Sequence, residues 1–218
     1  MVIPLLLTLL GGCASKAPEP EAGTAAVETA RPVEDARAVI VCLGDSLTAG
    51  HGVVGSGWPE LLQQDLDGKG YPYRVVNAGV SGDTSAGGLT RIGPLLKMKP
   101  RILILELGGN DGLRGTPVAT TRANLEEMIV AGKEAGAKVL LAGMTLPPNY
   151  GPGYIREFER MYTDLAGKHD LPLIPFRLES LGGNTEGLMQ RDGLHPTEEG
   201  YRRLLPHIVK QVEPLLGK

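Results

Sequence analysis

Aromatic side chains are scarce in this chain: one Trp, two Phe and six Tyr stand among 218 residues, against 31 glycines. Many glycines with few rings suit an α/β protein with tight turns better than a β-sandwich. Excess positive charge is missing too. A formal net charge of -3, with no basic cluster, offers no electrostatic surface for nucleic acid, which is set aside as a partner. No Cys or His cluster has the spacing of a zinc site. The apolar N-terminal segment, Val2 to Leu10, is too short to cross a bilayer as a helix, which takes about 20 residues. What is left is length enough for one domain with a full core plus a short extra segment.

The two cysteines carry different messages. Cys42 sits inside an apolar run and reads as a small core residue. Cys13 closes the N-terminal segment, which suits the h-region of a signal peptide. Leu10-Gly11-Gly12-Cys13 resembles a bacterial lipobox. That resemblance implies cleavage before Cys13, lipidation of its thiol and membrane association through the lipid. No Lys or Arg precedes the segment, and an uncleaved anchor is the alternative. Either way the expected location is outside the cytoplasm, periplasmic or membrane-anchored. Residues 14–37 are rich in Ala, Pro, Glu and Thr without apolar periodicity. Such a composition reads as a disordered linker reaching on the order of 25–30 Å. The expected organisation is therefore 1–13 signal and lipobox, 14–37 linker, and 38–218 a single domain.

Within that domain, strands and helices alternate. Val39 to Leu43 is a short apolar run rich in β-branched residues, ended by Gly44-Asp45-Ser46, and reads as a buried strand. A helix follows through Leu61, Leu62 and Leu66, with Pro59 in its first turn. Further strands are expected at Tyr73–Asn77, Arg101–Leu107, Lys138–Ala142 and Leu173–Phe176. Helices are expected through Leu89 to Leu96, after Thr116 as N-cap with Pro117 at the first position, around Ile155 to Lys168, and from Thr197. The last carries Tyr201, Leu204, Leu205, Ile208 and Val212 as its apolar stripe, interrupted by Pro206. This alternation predicts an α/β fold, a five-stranded parallel sheet between two helical layers. Right-handed crossovers then bring every strand's carboxyl end to one edge, where ligands bind in open α/β sheets.

The polar residues gather in the loops at that edge. Ser46 after the first strand is either a nucleophile or the cap of a helix. Asp192-Gly-Leu-His195 places a carboxylate three residues before a histidine. There it can hold Nδ1–H and leave Nε2 to take a proton from a serine. The G-x-S-x-G elbow of the α/β-hydrolases is absent. Gly82 and Asn110, with the backbone N–H of Ser46, are candidate oxyanion donors from three loops, although each also serves as a turn-former. Asp45, Asp83 and Asp111 could join a histidine at a metal, but neither a metal nor a cofactor is expected. His51, His169 and His207 read as surface or packing residues. Leu113, Leu146, Pro147 and Tyr150 are candidates for an apolar groove.

Gly44-Asp-Ser-Leu47, Ser81-Gly82-Asp83, Gly109-Asn110-Asp111 and Asp192-x-x-His195 resemble the four blocks of the GDSL, or SGNH, hydrolases, over about residues 38–215. Longer runs such as Glu106-Leu-Gly-Gly-Asn-Asp-Gly-Leu-Arg-Gly115 look like the bacterial branch called arylesterase, acyl-CoA thioesterase I or lysophospholipase L1. The resemblance implies a flavodoxin-like α/β/α fold without a lid domain. It assigns catalysis to Ser46, Asp192 and His195 and the oxyanion hole to Ser46, Gly82 and Asn110. The implied activity is hydrolysis of small-molecule acyl esters or thioesters. A carbohydrate O-acetyl esterase and a non-catalytic ligand-binding lipoprotein are the alternatives, and oligomeric state stays open. The lipobox and linker depart from a branch whose members are often soluble periplasmic proteins.

Overall fold

The structure, a computed structural model, describes residues 35–175 and 186–217. Cys13, the signal segment, most of the linker and Phe176 lie outside the described residues. The chain divides between Asp35 and Ala36, and the unit Ala36–Lys218 carries the sheet. Its elements run β1 (Ala38–Gly44), α1 (Ser46–Ala49), α2 (Trp58–Gly68), β2 (Tyr73–Gly79), α3 (Ser85–Leu96), β3 (Ile102–Glu106), α4 (Gly109–Leu113), α5 (Val118–Glu134), β4 (Lys138–Gly143), α6 (Pro152–His169), β5 (Leu173–Pro175) and α7 (Glu198–Val212).

All strand pairs are parallel, in the order β2-β1-β3-β4-β5. The alternation of side chains along each strand divides the core in two. Val39, Val41, Leu43, Leu103, Leu105, Val139 and Leu141 face a layer built from α3, α5 and α6. Ile40, Cys42, Ile102, Ile104, Leu140 and Ala142 face α2 and α7. Strands buried on both faces carry near-continuous apolar runs, which is why they were readable from sequence. Cys42 is fully buried, and that burial pushes its thiol well above the ordinary range.

Helix starts follow cap chemistry. Thr84 and Thr197 accept from the backbone N–H groups of Gly87 and Gly200 and open α3 and α7. At α5 the expectation is off by one residue. Pro117 has ψ 129°, outside the helical range, so it takes the cap position and the helix begins at Val118. The N–H of Thr116 instead donates to Asp111 O at 2.9 Å.

Order 2-1-3-4-5 has its switch point between β1 and β3. There the connection from β1 leaves toward one side and that from β3 toward the other, opening a crevice at the strands' carboxyl ends. Ser46 follows β1 and Asn110 follows β3, so both stand at that crevice.

Candidate active site

Gly44 ends β1, and Asp45 takes the N-cap of α1, its Oδ1 accepting from Leu47 N at 3.0 Å. The capping role open to Ser46 is therefore filled by its neighbour. Ser46 starts the helix, and its Oγ lies 2.8 Å from His195 Nε2. His195 Nδ1 lies 2.7 Å from Asp192 Oδ2, while Asp192 Oδ1 accepts from Leu194 N at 2.9 Å and His195 N at 3.0 Å. Partial desolvation acts upward on Asp192, but these three bonds outweigh it and hold its carboxyl down at about 2. An ionised carboxylate can only accept, so Nδ1 carries the proton. When the ring is neutral its Nε2 is then bare and can receive Ser46 Oγ–H.

Beneath Ser46 lies a carboxylate to which the motifs assign no role. Glu106, fully buried at the end of β3, sits opposite Gly44 in the β1–β3 register. Its Oε2 accepts from Thr48 Oγ1 at 2.6 Å, Thr48 N at 3.1 Å and Asp45 N at 3.4 Å. A Cβ at position 44 would come within 2.0 Å of Thr48 Oγ1 and 2.5 Å of Glu106 Oε2. The glycine of the Gly-Asp-Ser turn is thus required by close approach. Burial, reinforced by the charge of Asp45, lifts Glu106 well above the ordinary carboxylate range. Burial also raises Asp45 to about 6, opposed by the Leu47 N–H, the His195 charge and the Asn110 side chain. A charged residue inside a buried run is rare without partners, and that signal could have flagged Glu106.

Asn110 Nδ2 donates to Asp45 Oδ2 at 3.0 Å, which uses one of its two N–H groups and leaves the other free to face a substrate. Gly82 adopts φ 79°, a conformation that suits glycine, and its carbonyl accepts from Arg114 Nη2 at 3.0 Å. The metal reading finds each of its aspartates engaged elsewhere. Asp83 holds Arg91 through Nε at 2.9 Å, and Asp111 accepts from Ser85 N at 2.8 Å and Ser85 Oγ at 2.5 Å. Asp111 thereby fastens α4 to the start of α3. His169 meets Glu126 at 2.8 Å, and His207 is exposed on α7.

A cavity of about 720 Å³ opens beside Ser46, Asn110 and His195. Leu113, Leu146 and Pro147 line it, joined by Leu47 and Leu194 from the Gly44-Asp-Ser-Leu47 and Asp192-Gly-Leu-His195 blocks and by Met144 and Met189, which stand in no motif. Gly82 is not among the lining residues. Tyr150 departs from expectation as well: its hydroxyl donates to Leu113 O at 2.7 Å, so it braces the wall and stays out of the cavity.

Residues 42–203 match the GDSL-like lipase/acylhydrolase family. The chain is 49% identical over 179 residues to "Esterase TesA" of Pseudomonas aeruginosa, covering 81% of this chain and 89% of that protein. It is 41% identical over 180 residues to "Thioesterase 1/protease 1/lysophospholipase L1" of Escherichia coli strain K12, covering 82% and 85%. A crystal structure of TesA, 48% identical, covers 82% of this chain and 99% of its own, with a TM-score of 0.77.

Proposed function

Since the chain belongs to the GDSL-like lipase/acylhydrolase family and is a carboxylic ester hydrolase, we propose that Ser46, His195 and Asp192 form its triad. We further propose that its substrates are acyl esters and thioesters of small to medium chain length. The observation that carries this reading is the unbroken chain of contacts from Ser46 Oγ through His195 to Asp192, at 2.8 Å and 2.7 Å.

In this mechanism Ser46 Oγ attacks the acyl carbonyl while His195 Nε2 takes its proton. The backbone N–H groups of Ser46 and Gly82 and the second N–H of Asn110 receive the oxyanion. His195 then protonates the leaving alcohol or thiol, and afterwards activates water to release the acid. The apolar cavity holds the acyl chain.

The test is turnover of p-nitrophenyl acetate, butyrate and octanoate by the full chain. Ser46→Ala and His195→Ala should each lower kcat by roughly 10⁴-fold or more. Residual rates within about tenfold of the unmodified protein would overturn the triad, and no turnover at all would favour a binding protein. We also propose export and membrane anchoring through a lipid on Cys13, on the strength of Leu10-Gly11-Gly12-Cys13. Cys13→Ala should move the protein from the membrane fraction to the soluble one. A protein already soluble before that change would end the lipid reading.

A further inference from the structure

His51 follows α1, its N–H donating to Ser46 O at 3.0 Å. Its carbonyl accepts from Gln190 Nε2 at 2.7 Å, and the same nitrogen donates to Pro196 O at 2.9 Å. One glutamine thus ties the turn carrying His51 to the loop carrying His195. The two imidazole rings lie against each other, centroids 4.5 Å apart and planes 40° apart. One potential ligand atom from each of His51, Asp192 and His195 lies within 4.8 Å of the other two. His51 and Asp192 are exposed and His195 is half-buried, so an ion can reach them from solvent. Hydrolysis as derived above makes no use of the His51 ring nitrogens.

We propose that His51, Asp192 and His195 form an inhibitory site for a borderline divalent cation, with Zn²⁺ as its type. Two imidazoles, one carboxylate and a water are a ligand set that zinc takes in open tetrahedral sites. At bonds of about 2.0–2.2 Å its ligand atoms stand roughly 3.3–3.5 Å apart. Rotation of two exposed side chains can close the remaining gap. Whichever nitrogen of His195 the ion takes, the base is disabled. Bound at Nε2, the ion occupies the lone pair that receives the Ser46 proton. Bound at Nδ1, it displaces the ring proton to Nε2 with the same result, and draws Asp192 away from its orienting bond. Hard cations such as Mg²⁺, which prefer oxygen ligands, do not fit this set.

The inhibitory consequence rests on the triad reading, whereas binding does not, so two readouts separate them. Zn²⁺ titrated into the full-length protein should bind at one ion per chain by calorimetry. It should also suppress ester turnover, with recovery on adding EDTA, while Mg²⁺ does neither. His51→Phe keeps a ring against His195 and removes both nitrogens, and His51→Ala serves as a second variant. Both should weaken zinc binding and inhibition by at least about tenfold, the low end of what losing even an outer contact costs a metal site, each judged against its own metal-free rate. Inhibition of both variants at the same Zn²⁺ concentration as the parent would overturn the site, as would no bound ion at millimolar Zn²⁺. Should the chain turn over no ester, calorimetry on the three proteins still decides the binding.

Discussion

Glu106 accepts three hydrogen bonds on Oε2, while its buried Oε1 has no hydrogen-bond partner among the described residues. It joins β3 to the first turn of α1 and so fixes the backbone on which Ser46 stands. Removing it strands the Thr48 hydroxyl and amide, at about 1–3 kcal/mol for each unmet buried group. Glu106→Ala should therefore destabilise the fold by about 2–4 kcal/mol in chemical denaturation. Glu106→Gln, which keeps an acceptor oxygen, should cost less than half of that. Equal losses in the two variants would show that bulk, not hydrogen bonding, is what Glu106 supplies. Asp45 adds a pH signature. Its carboxyl rises from 3.8 to about 6 on folding, so the folded state binds a proton more tightly than the unfolded chain. The contribution of Asp45 to stability then falls as pH rises from about 4 to 6 and levels off above that. Asp45→Asn, neutral throughout, should flatten this decline in thermal melts between pH 4 and 7, and an unchanged slope would remove Asp45 as its source. Ser46, Asp192 and His195 were legible as candidates from motif spacing, and the structure brings them within hydrogen-bonding distance of one another. Glu106 was hidden by the apolar run around it, since periodicity registers the strand and not its one charged member.

The loop before α7 holds its shape through pairs with itself and with α1's end. Gln190 N donates to His195 O at 2.8 Å, Thr197 N to Leu188 O at 2.8 Å, and the Gln190 side chain spans the His51 and Pro196 carbonyls. A Cβ on Gly52 would fall 2.2 Å from Gln190 Oε1, which shows how closely the two loops meet. Because this span sets where Nε2 lies relative to Ser46, Gln190→Ala should lower kcat by about 10²-fold, as roughly 1 Å of misplacement does. KM should change little, since Gln190 is not among the residues that line the cavity. A loss confined to KM would place the residue in substrate binding instead. Such ties between distant loops leave no mark in a sequence. Nor do α1 and α4, at four and five residues too short for a helical period. The longer elements were legible because buried strands and amphipathic helices differ in period, with slips only at ends such as Pro117.

At the scale of the whole molecule, strand alternation implied a parallel sheet, and the sheet brings Ser46, Asn110 and His195 to one cavity. That convergence followed from topology and was readable in advance. The cavity's extent was not, because Met144 and Met189 reach it from separate loops and stand in no motif. Its wall is the surface on which chain-length preference must be decided. Each methylene transferred from water to an apolar wall gains about 0.8 kcal/mol, or roughly fourfold in kcat/KM where the gain persists in the transition state. From acetate to butyrate to octanoate, kcat/KM should therefore climb, and then flatten once the chain outgrows about 720 Å³. Leu146→Ala widens the wall at a buried position and should shift the plateau toward longer chains rather than abolish activity. Both effects are read in one series of p-nitrophenyl esters. A series highest at acetate and falling with length would mean that the apolar wall does not receive the acyl chain. The carbohydrate O-acetyl esterase would then be the better account of the same triad.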